Sequence, residues 1–324
     1  MADPDAPMVS VCVIAYNHER YIRQCLDGIL MQEVDFPYEV LVHDDASTDG
    51  TADIIREYEA RHQGIVKPIY QSENQYSRGR DVDRFNFDRA RGKYLAYCEG
   101  DDYWTDSQKL SRQVRFLEAN PDFAGTLHRV SAIDGHGERI EIPRYTAVEE
   151  HEYTIEEYPK NLIPGQSASY VIRNVFLTMS PQLRDEFYSC KVNGDVILPL
   201  LLVLMGKVYC FSEAMATYRY IVSGGKSWSA QTHGENLAYR QFRERLALQR
   251  FAREGFNHSL PQSILYDAAI TASVAAVSKP SVSNSKILLS IVREMPDKRS
   301  MIPYLMVNMP HRAVELLRSR TRQP

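Results

Sequence analysis

The 324-residue sequence lacks both of the glycine-rich motifs with which α/β proteins commonly hold phosphate groups. No G-x-G-x-x-G follows the first predicted strand, and no G-x-x-x-x-G-K-[ST] occurs in the chain. Dinucleotide binding and P-loop hydrolysis therefore both lose support, because each uses glycine to bring backbone N–H groups close to a pyrophosphate.

A long hydrophobic segment is also missing. The longest apolar run, residues 196–205 with Pro199 inside it, is too short to span a bilayer. The first residues, Met-Ala-Asp-Pro-Asp, show neither the basic nor the apolar region of a signal peptide. The five cysteines are odd in number and include no C-x-x-C pair, which is typical of buried side chains in a reducing compartment. We therefore expect a cytoplasmic protein, at most peripheral on the inner face of the cell membrane.

The net charge of −4 gives the molecule no overall basic character, so a nucleic-acid partner is not expected. The charge is uneven, since the segment from Lys286 onward carries eight basic and three acidic side chains. Helical patterns fill this part of the chain, at residues 237–254, 260–278, 285–295 and 301–320. These basic helices suit peripheral contact with an anionic bilayer, and equally a solvated face, packing on the body of the protein, or a dimer interface.

Short apolar, β-branched runs alternate with helical patterns in the first hundred residues. Strands are predicted at residues 9–15, 38–43, 65–70 and 94–98, and helices at 21–30 and 52–61. This alternation predicts a doubly wound, mostly parallel α/β sheet with right-handed crossovers. In such sheets, ligands bind beyond the carboxyl ends of the strands.

Polar residues follow three of these predicted strands. Tyr16 and Asn17 come after the first strand, Asp44 and Asp45 end the second, and the segment 99–102 (Glu-Gly-Asp-Asp) ends the fourth. Crowded carboxylates repel one another and lose hydration, so a divalent cation is expected among them. The alternative is a solvated acidic turn that caps the next helix.

Two stretches resemble the family 2 glycosyltransferases, which have the GT-A fold: residues 9–17, and Val40-Leu-Val-His-Asp-Asp-Ala-Ser-Thr-Asp-Gly-Thr51. The run Glu99-Gly-Asp-Asp-Tyr-Trp-Thr-Asp106, followed by Lys109-Leu and residues 113–121, is similar to the bacterial branch of that family. The resemblance covers about residues 8–230. It implies a GT-A domain over 1–230, with a nucleotide-binding half at 1–133 and an acceptor half at 134–230. Residues 231–324 are then a C-terminal helical extension.

The resemblance implies an inverting transfer of a sugar from a nucleotide diphosphate sugar, usually a UDP-sugar, with Mn²⁺ or Mg²⁺ at the pyrophosphate. The acceptor would be a saccharide or lipid-linked glycan of bacterial surface polysaccharide biosynthesis. Two alternatives stay open: a nucleotidyltransferase, which would share the sheet and its acidic edge, and a sugar-nucleotide-binding module without turnover.

The resemblance also implies which residues contact the nucleotide. Asp45 would hydrogen-bond the base, and Tyr16 would pack beside it. Glu99 stands where the family often has Asp, and its role is open between ribose and metal. Asp102 is the first expected metal ligand and Asp101 the second. The full set expected at the nucleotide is Ala15, Tyr16, Asn17, Glu19, Asp45, Arg78, Glu99 and Asp101.

Asp195 is the candidate catalytic base, because it precedes an apolar helix in a Gly-Asp step similar to that of the family. An inverting displacement needs one base near the acceptor hydroxyl. The competing interpretation is an acid at a helix N-terminus, which stabilises the helix by roughly 0.3–1 kcal/mol through the macrodipole.

Five further residues are expected in the donor and acceptor cleft: Trp104, Gln166, Ser167, Lys226 and Trp228. Gln166 and Ser167 could instead satisfy loop backbone groups. Lys226 would contact phosphate from a glycine-containing loop, and Trp228 would either stack on a sugar or pack on the next helix.

Overall fold

A computed structural model describes the protein over residues 6–158, 163–164, 166–190, 192, 194–220, 237–277, 282–295 and 303–304. The chain divides into two compact units, one of residues 1–189 with 193–224 and the other of 190–192 with 225–324. The domain boundary expected at residue 230 stays a prediction, because residues 221–236 lie outside the described part of the chain.

The first unit contains all of the described strands. They are β1 (Val9–Ala15), β2 (Tyr38–Asp44), β3 (Val66–Tyr70), β4 (Tyr94–Glu99), β5 (Tyr103–Trp104), β6 (Phe123–Asp134), β7 (Arg139–Ile140), β8 (His151–Tyr153), β9 (Val171–Arg173) and β10 (Lys207–Tyr220). Its helices are α1 (Ile22–Leu30), α2 (Thr51–Arg61), α3 (Arg84–Phe87), α4 (Lys109–Ala119), α5 (Pro143–Thr146), α6 (Pro181–Ser189) and α7 (Gly194–Met205).

The strands form one mostly parallel sheet in the order β3-β2-β1-β4-β9-β6-β10-β5. β1 pairs in parallel with β2 and β4, and β2 pairs in parallel with β3, so the four strands predicted from sequence lie side by side. The short β9 is antiparallel to β4 and β6, whereas β6 and β10 are parallel to each other. The expected α/β fold with a mostly parallel sheet is confirmed.

The register of the central strands aligns their carboxyl ends. Ala15 lies opposite Asp44 on β2, and Ile14 lies opposite Glu99 on β4. Every residue of β1 except Ile14 is buried, which explains its nearly continuous apolar sequence. The polar residues that follow these strands are therefore brought to one edge of the sheet.

Close packing of α1 against β5 holds the segment that follows the fourth strand. A Cβ atom at Gly28 would lie 2.6 Å from the backbone oxygen of Trp104, so only glycine allows this approach. Trp104 itself is 1% exposed. The segment after the acidic residues is thus fixed to the core.

The second unit is helical where it is described, with α8 (Leu237–Phe256), α9 (Gln262–Val277) and α10 (Val282–Glu294). They share a small apolar core that includes Phe242, Leu265 and Ile291. These helices match three of the four predicted in the C-terminal part, while the fourth, at 301–320, falls almost wholly outside the described residues. In the portion of the chain that the structure covers, no helix is both long enough and apolar enough to cross a membrane.

Candidate active site

The loops that follow β1 and β2 are hydrogen-bonded to each other. Asn17 adopts a left-handed conformation with φ 57°, and its side-chain oxygen accepts a 2.8 Å hydrogen bond from the Thr48 backbone N–H. In return, the Asn17 N–H donates to the Ser47 hydroxyl at 3.0 Å. Asn tolerates this backbone region better than most residues do. The two strand ends are therefore joined into one surface.

Asp45 anchors a third loop to the same edge. Its carboxylate accepts hydrogen bonds from the backbone N–H groups of Gln75 at 2.7 Å and Tyr76 at 3.1 Å. The residue is only 1% exposed. The contact with a base that was expected for Asp45 stays a prediction, and in this structure its carboxylate orders the 74–76 loop.

Other expected nucleotide contacts already have partners within the protein. Glu19 accepts a 3.1 Å hydrogen bond from the Gly50 N–H at the start of α2. Arg78 forms an exposed ion pair with Glu73 at 2.5 Å. Ala15 accepts from the Asp45 N–H at 2.9 Å, and Tyr16 is partly exposed beside it. Ala15 and Tyr16 thus lie at the edge of the sheet, while Glu19 and Arg78 would have to exchange partners in order to reach a ligand.

Residues 99–102, hereafter the acid turn, follow directly from β4. The Gly100 N–H donates to the Ile14 carbonyl at 2.9 Å, and a Cβ atom at Gly100 would lie 2.7 Å from the His18 imidazole. Glycine is needed at this position because the turn passes so close to the end of β1. The acid turn is thereby fixed against the loop that carries Tyr16 and Asn17.

The three carboxylates of the acid turn differ in their surroundings. Asp102 is 1% exposed; its Oδ1 accepts from the Arg219 backbone N–H at 2.8 Å, and its Oδ2 accepts from the Gln166 side chain. Asp101 is partly exposed and lies 3.9 Å from the His18 imidazole. Glu99 is exposed. Protein donors thus engage both oxygens of Asp102, whereas Glu99 and Asp101 each keep part of their surface exposed to solvent.

Asp195 lies in the first turn of α7, close to a carboxylate that sequence reasoning missed. A Cβ atom at the neighbouring Gly194 would be 3.3 Å from Asp83 Oδ2. Burial raises the pKa of Asp195 to about 6, and the positive charge of Arg144 opposes this shift. Burial, together with repulsion from Asp81 and Asp195, raises the pKa of Asp83 to about 8.

Asp83, Glu99, Asp101 and Asp195 form what we call the acid cluster. The surrounding protein raises the pKa of Glu99, and repulsion from Asp101, Asp195 and Asp83 raises it further. The pattern Asp81-Val82-Asp83 was the available signal for Asp83, since two carboxylates stand there shortly after Arg80. Full ionisation of the cluster is therefore unfavourable, and the positive charge of Arg144 offsets part of the repulsion at Asp195.

The acid cluster fits a divalent cation only with ligands from outside the protein. Among the described residues, no group of three or more His, Cys, Asp or Glu side chains is arranged to hold a metal ion. Mg²⁺ and Mn²⁺, however, commonly take one or two carboxylates and complete their coordination with phosphate and water. Glu99 and Asp101, two nearby carboxylates that are exposed or partly exposed, match that requirement.

The residues expected in the cleft lie in different surroundings. Gln166 and Ser167 both contact the acid turn. Gln166 donates to Asp102. The Ser167 hydroxyl hydrogen-bonds Glu99 and lowers its pKa, although burial and repulsion raise it by more. Trp104 belongs to the buried core beneath the acid turn, which argues against its direct contact with a sugar. Lys226 and Trp228 lie outside the described residues.

Residues 10–178 match the sequence model described as Glycosyl transferase family 2. The chain therefore belongs to glycosyltransferase family 2, as the resemblance of its motifs predicted.

Relatives and solved structures agree with this assignment. An uncharacterized protein of Mycobacterium tuberculosis is 45% identical over 242 residues, which cover 70% of this chain and 65% of that protein. The match thus spans just under two thirds of the mycobacterial relative. The putative teichuronic acid biosynthesis glycosyltransferase TuaG of Bacillus subtilis is 36% identical over 230 residues, or 69% of this chain and 84% of TuaG.

The fold is shared with S. aureus TarS. The structure of its residues 1–349 in complex with UDP-GlcNAc has a TM-score of 0.58 and 17% identity, with 96% of this chain and 92% of that chain covered. At this identity the likeness is one of fold, and it confirms the GT-A expectation.

Proposed function

We propose that the protein is a metal-assisted, inverting glycosyltransferase that moves a sugar from a UDP-sugar to a saccharide or lipid-linked acceptor in bacterial surface polysaccharide biosynthesis. The observation that carries this proposal is the position of Asp195 in the same acid cluster as Glu99 and Asp101, with its pKa raised to about 6. A carboxylate of that pKa is mostly ionised at neutral pH and is still a usable proton acceptor.

Asp195 would act as the general base. The acceptor hydroxyl gives its proton to the Asp195 carboxylate while its oxygen forms a bond to the anomeric carbon of the donor sugar. The bond between that carbon and the diphosphate oxygen breaks, and the nucleoside diphosphate leaves with the electron pair. A single displacement of this kind inverts the anomeric configuration and requires one base on the acceptor side.

Glu99 and Asp101 are the residues that would hold Mn²⁺ or Mg²⁺ together with the donor pyrophosphate. Asp102, which was expected first, has both carboxylate oxygens engaged by Gln166 and Arg219, so we place Asp101 ahead of it. When bound, the cation would offset the negative charge that develops on the leaving diphosphate. The open, crowded carboxylates of Glu99 and Asp101 support this assignment.

The nucleotide would lie along the edge formed by the ends of β1, β2 and β4. Tyr16 and Asn17 border this edge, and Asp45 holds the 74–76 loop beside it. The UDP-GlcNAc complex of TarS, a protein of the same fold, is consistent with a UDP-sugar donor. The surface-polysaccharide role is supported by TuaG, whose name refers to teichuronic acid biosynthesis.

The proposal also covers the extent of the catalytic domain and the location of the protein. We assign the transfer reaction to a domain of residues 1–230, and we place the protein in the cytoplasm. We also assign residues 231–324 to a C-terminal extension, whose basic sequence suits an anionic membrane surface. Co-sedimentation with anionic liposomes that is unchanged by deletion of residues 297–324 would argue against that contact.

The test is release of UDP from a panel of UDP-sugars in the presence of Mn²⁺ or Mg²⁺. Asp195→Asn should lower the rate by on the order of 10²- to 10⁴-fold while UDP affinity, measured by calorimetry, stays near that of the unsubstituted protein. Asp53→Asn is the matched control, because Asp53 also stands in the first turn of a helix, α2, and is exposed.

The other candidates predict different outcomes. A binding module without turnover would bind UDP tightly and release none from any donor. A nucleotidyltransferase would instead release pyrophosphate from a nucleoside triphosphate and a sugar phosphate. If Asp195→Asn keeps the full rate of UDP release, the assignment of the base is wrong.

A further inference from the structure

Lys109 is a fully buried lysine at the start of α4 that the proposed chemistry does not use. It is 0% exposed, and its ammonium lies 4.2 Å from the centroid of the Trp104 ring. Among the described residues, the ammonium donates to the Gln113 side-chain oxygen at 2.8 Å. Within the described part of the chain, no carboxylate forms an ion pair with it. Burying an ammonium group is costly, and burial lowers the pKa of Lys109 to about 7, so the presence of a lysine here calls for a physical reason.

A chain of buried hydrogen bonds leads from Lys109 to the acid turn. The Gln113 amide donates to the Ser169 carbonyl at 2.9 Å and to the Thr126 hydroxyl at 3.1 Å. The Ser169 hydroxyl in turn donates to the Gln166 carbonyl at 2.7 Å. Gln166 then donates through its side chain to Asp102.

The lysine determines which way the Gln113 amide faces. In its protonated form the lysine can only donate, so it selects the amide oxygen as its partner and leaves the NH₂ group to face Ser169 and Thr126. An apolar side chain in place of Lys109 would remove that selection and leave the amide oxygen buried without a donor.

A second set of contacts leads from Lys109 to the other side of Asp102. The Trp104 ring beneath the ammonium belongs to β5, which pairs with β10 at Ala216. Three residues later on β10, the Arg219 N–H donates to Asp102 at 2.8 Å. Both segments that hold the Asp102 carboxylate are therefore supported from the same buried lysine.

We propose that Lys109 is a positioning residue for the transfer reaction. Through Gln113 it fixes the 166–169 turn, which orients Asp102 and presents the Ser167 hydroxyl to Glu99. This inference rests on the proposed function, because it assigns to Lys109 the geometry of the acid cluster in which transfer would occur. A misplacement of reacting groups by about 1 Å is enough to lower a rate by on the order of 100-fold.

The test compares Lys109→Met with Lys93→Met in UDP release at saturating donor. Lys93 is a matched control, since its ammonium also lies over a ring, 5.5 Å from the Tyr94 centroid, but it pairs with exposed Glu118 away from the cluster. We expect Lys109→Met to lower kcat by on the order of 10- to 100-fold with UDP affinity nearly unchanged. Lys93→Met should leave both quantities unchanged.

A second variant keeps the proposal testable if Lys109→Met does not fold. Gln113→Glu retains a partner for the ammonium and removes the amide donor to Ser169. It should lower kcat to a similar degree, and the losses in Lys109→Met and Gln113→Glu should not add in the double variant. Full kcat in a folded Lys109→Met or Gln113→Glu protein would overturn the positioning role. Absence of UDP release from the unsubstituted protein would instead overturn the proposed function.

Discussion

The Oδ1 atom of Asp102 accepts a 2.8 Å hydrogen bond from the backbone N–H of Arg219, which joins the acid turn to the end of β10. The Arg219 side chain reinforces this junction, since its Nε donates to the Asp101 carbonyl at 3.0 Å. The two neighbouring acids therefore differ: protein donors engage both oxygens of the Asp102 carboxylate, whereas Asp101 is partly exposed and has the His18 imidazole 3.9 Å away.

This difference predicts opposite outcomes for two similar substitutions. Asp101→Asn should raise the Mn²⁺ concentration needed for half-maximal UDP release by on the order of 10-fold or more, because a charged ligand is lost. Asp102→Asn should leave that concentration near its original value and lower stability by about 1–3 kcal/mol, because an NH₂ group would face a donor. Metal titration and thermal unfolding measure the two effects. The reverse pattern would restore Asp102 as the first ligand.

The rate of transfer should depend on pH through Asp195. Burial raises the pKa of Asp195 to about 6, and a general base must be ionised, so kcat should fall as the pH drops through that value. The charge of Arg144 lowers this pKa, so Arg144→Gln should move the acidic limb of the profile to higher pH. Arg139→Gln, which alters an exposed arginine, is the control. A limb unchanged in Arg144→Gln would contradict the assignment.

Substitution of Asp44 and of Asp45, the adjacent acids at the end of β2, should also have different effects. Asp45→Asn should weaken UDP binding and cost about 1–3 kcal/mol of stability, because the carboxylate accepts from both the Gln75 and Tyr76 N–H groups. Asp44→Asn should cost less, since the Asp44 carboxylate accepts from the single residue Ser47, whose backbone N–H lies at 3.3 Å, and burial raises the pKa of Asp44. Calorimetry with UDP and thermal unfolding test the pair, and equal losses in both variants would count against the difference.

Gly28 should tolerate no side chain. Gly28→Ala should lower the free energy of unfolding by about 1–3 kcal/mol, because its methyl group would meet the Trp104 backbone at 2.6 Å. Gly50→Ala is a milder comparison, since the nearest atoms there belong to the flexible Glu19 side chain. Denaturant unfolding of both variants checks the prediction, and a Gly28→Ala protein as stable as Gly50→Ala would refute it.

The first four strands were the part of the fold that sequence reasoning could predict. β1 and β2 are buried on both faces, so their sequences are mostly apolar, with Ser10, Glu39 and His43 as buried exceptions. The parallel pairing then follows from the alternation with helices, and the shared edge follows from the pairing. Local pattern was enough because each strand carries its own signal.

The half of the sheet formed by β9, β6 and β10 was less predictable, because its strands carry no such local signal. β9 has only three residues, and β10 pairs with β6 through several shifts in register, so neither shows a clean alternation. Asp83 was missed because its significance arises from Asp195, more than a hundred residues away along the chain. The order of Asp101 and Asp102 likewise depends on distant partners that spacing cannot reveal.

Asp102 receives its two donors from residues that lie 64 and 117 positions further along the chain. The carboxylate gains its complete set of contacts only after β10 has joined the sheet, and contacts of such long range form late and slowly. Refolding of this protein should therefore regain its helical signal before it regains a competent acid turn. Catalytic competence would then report that folding is complete, rather than that the first four strands have formed.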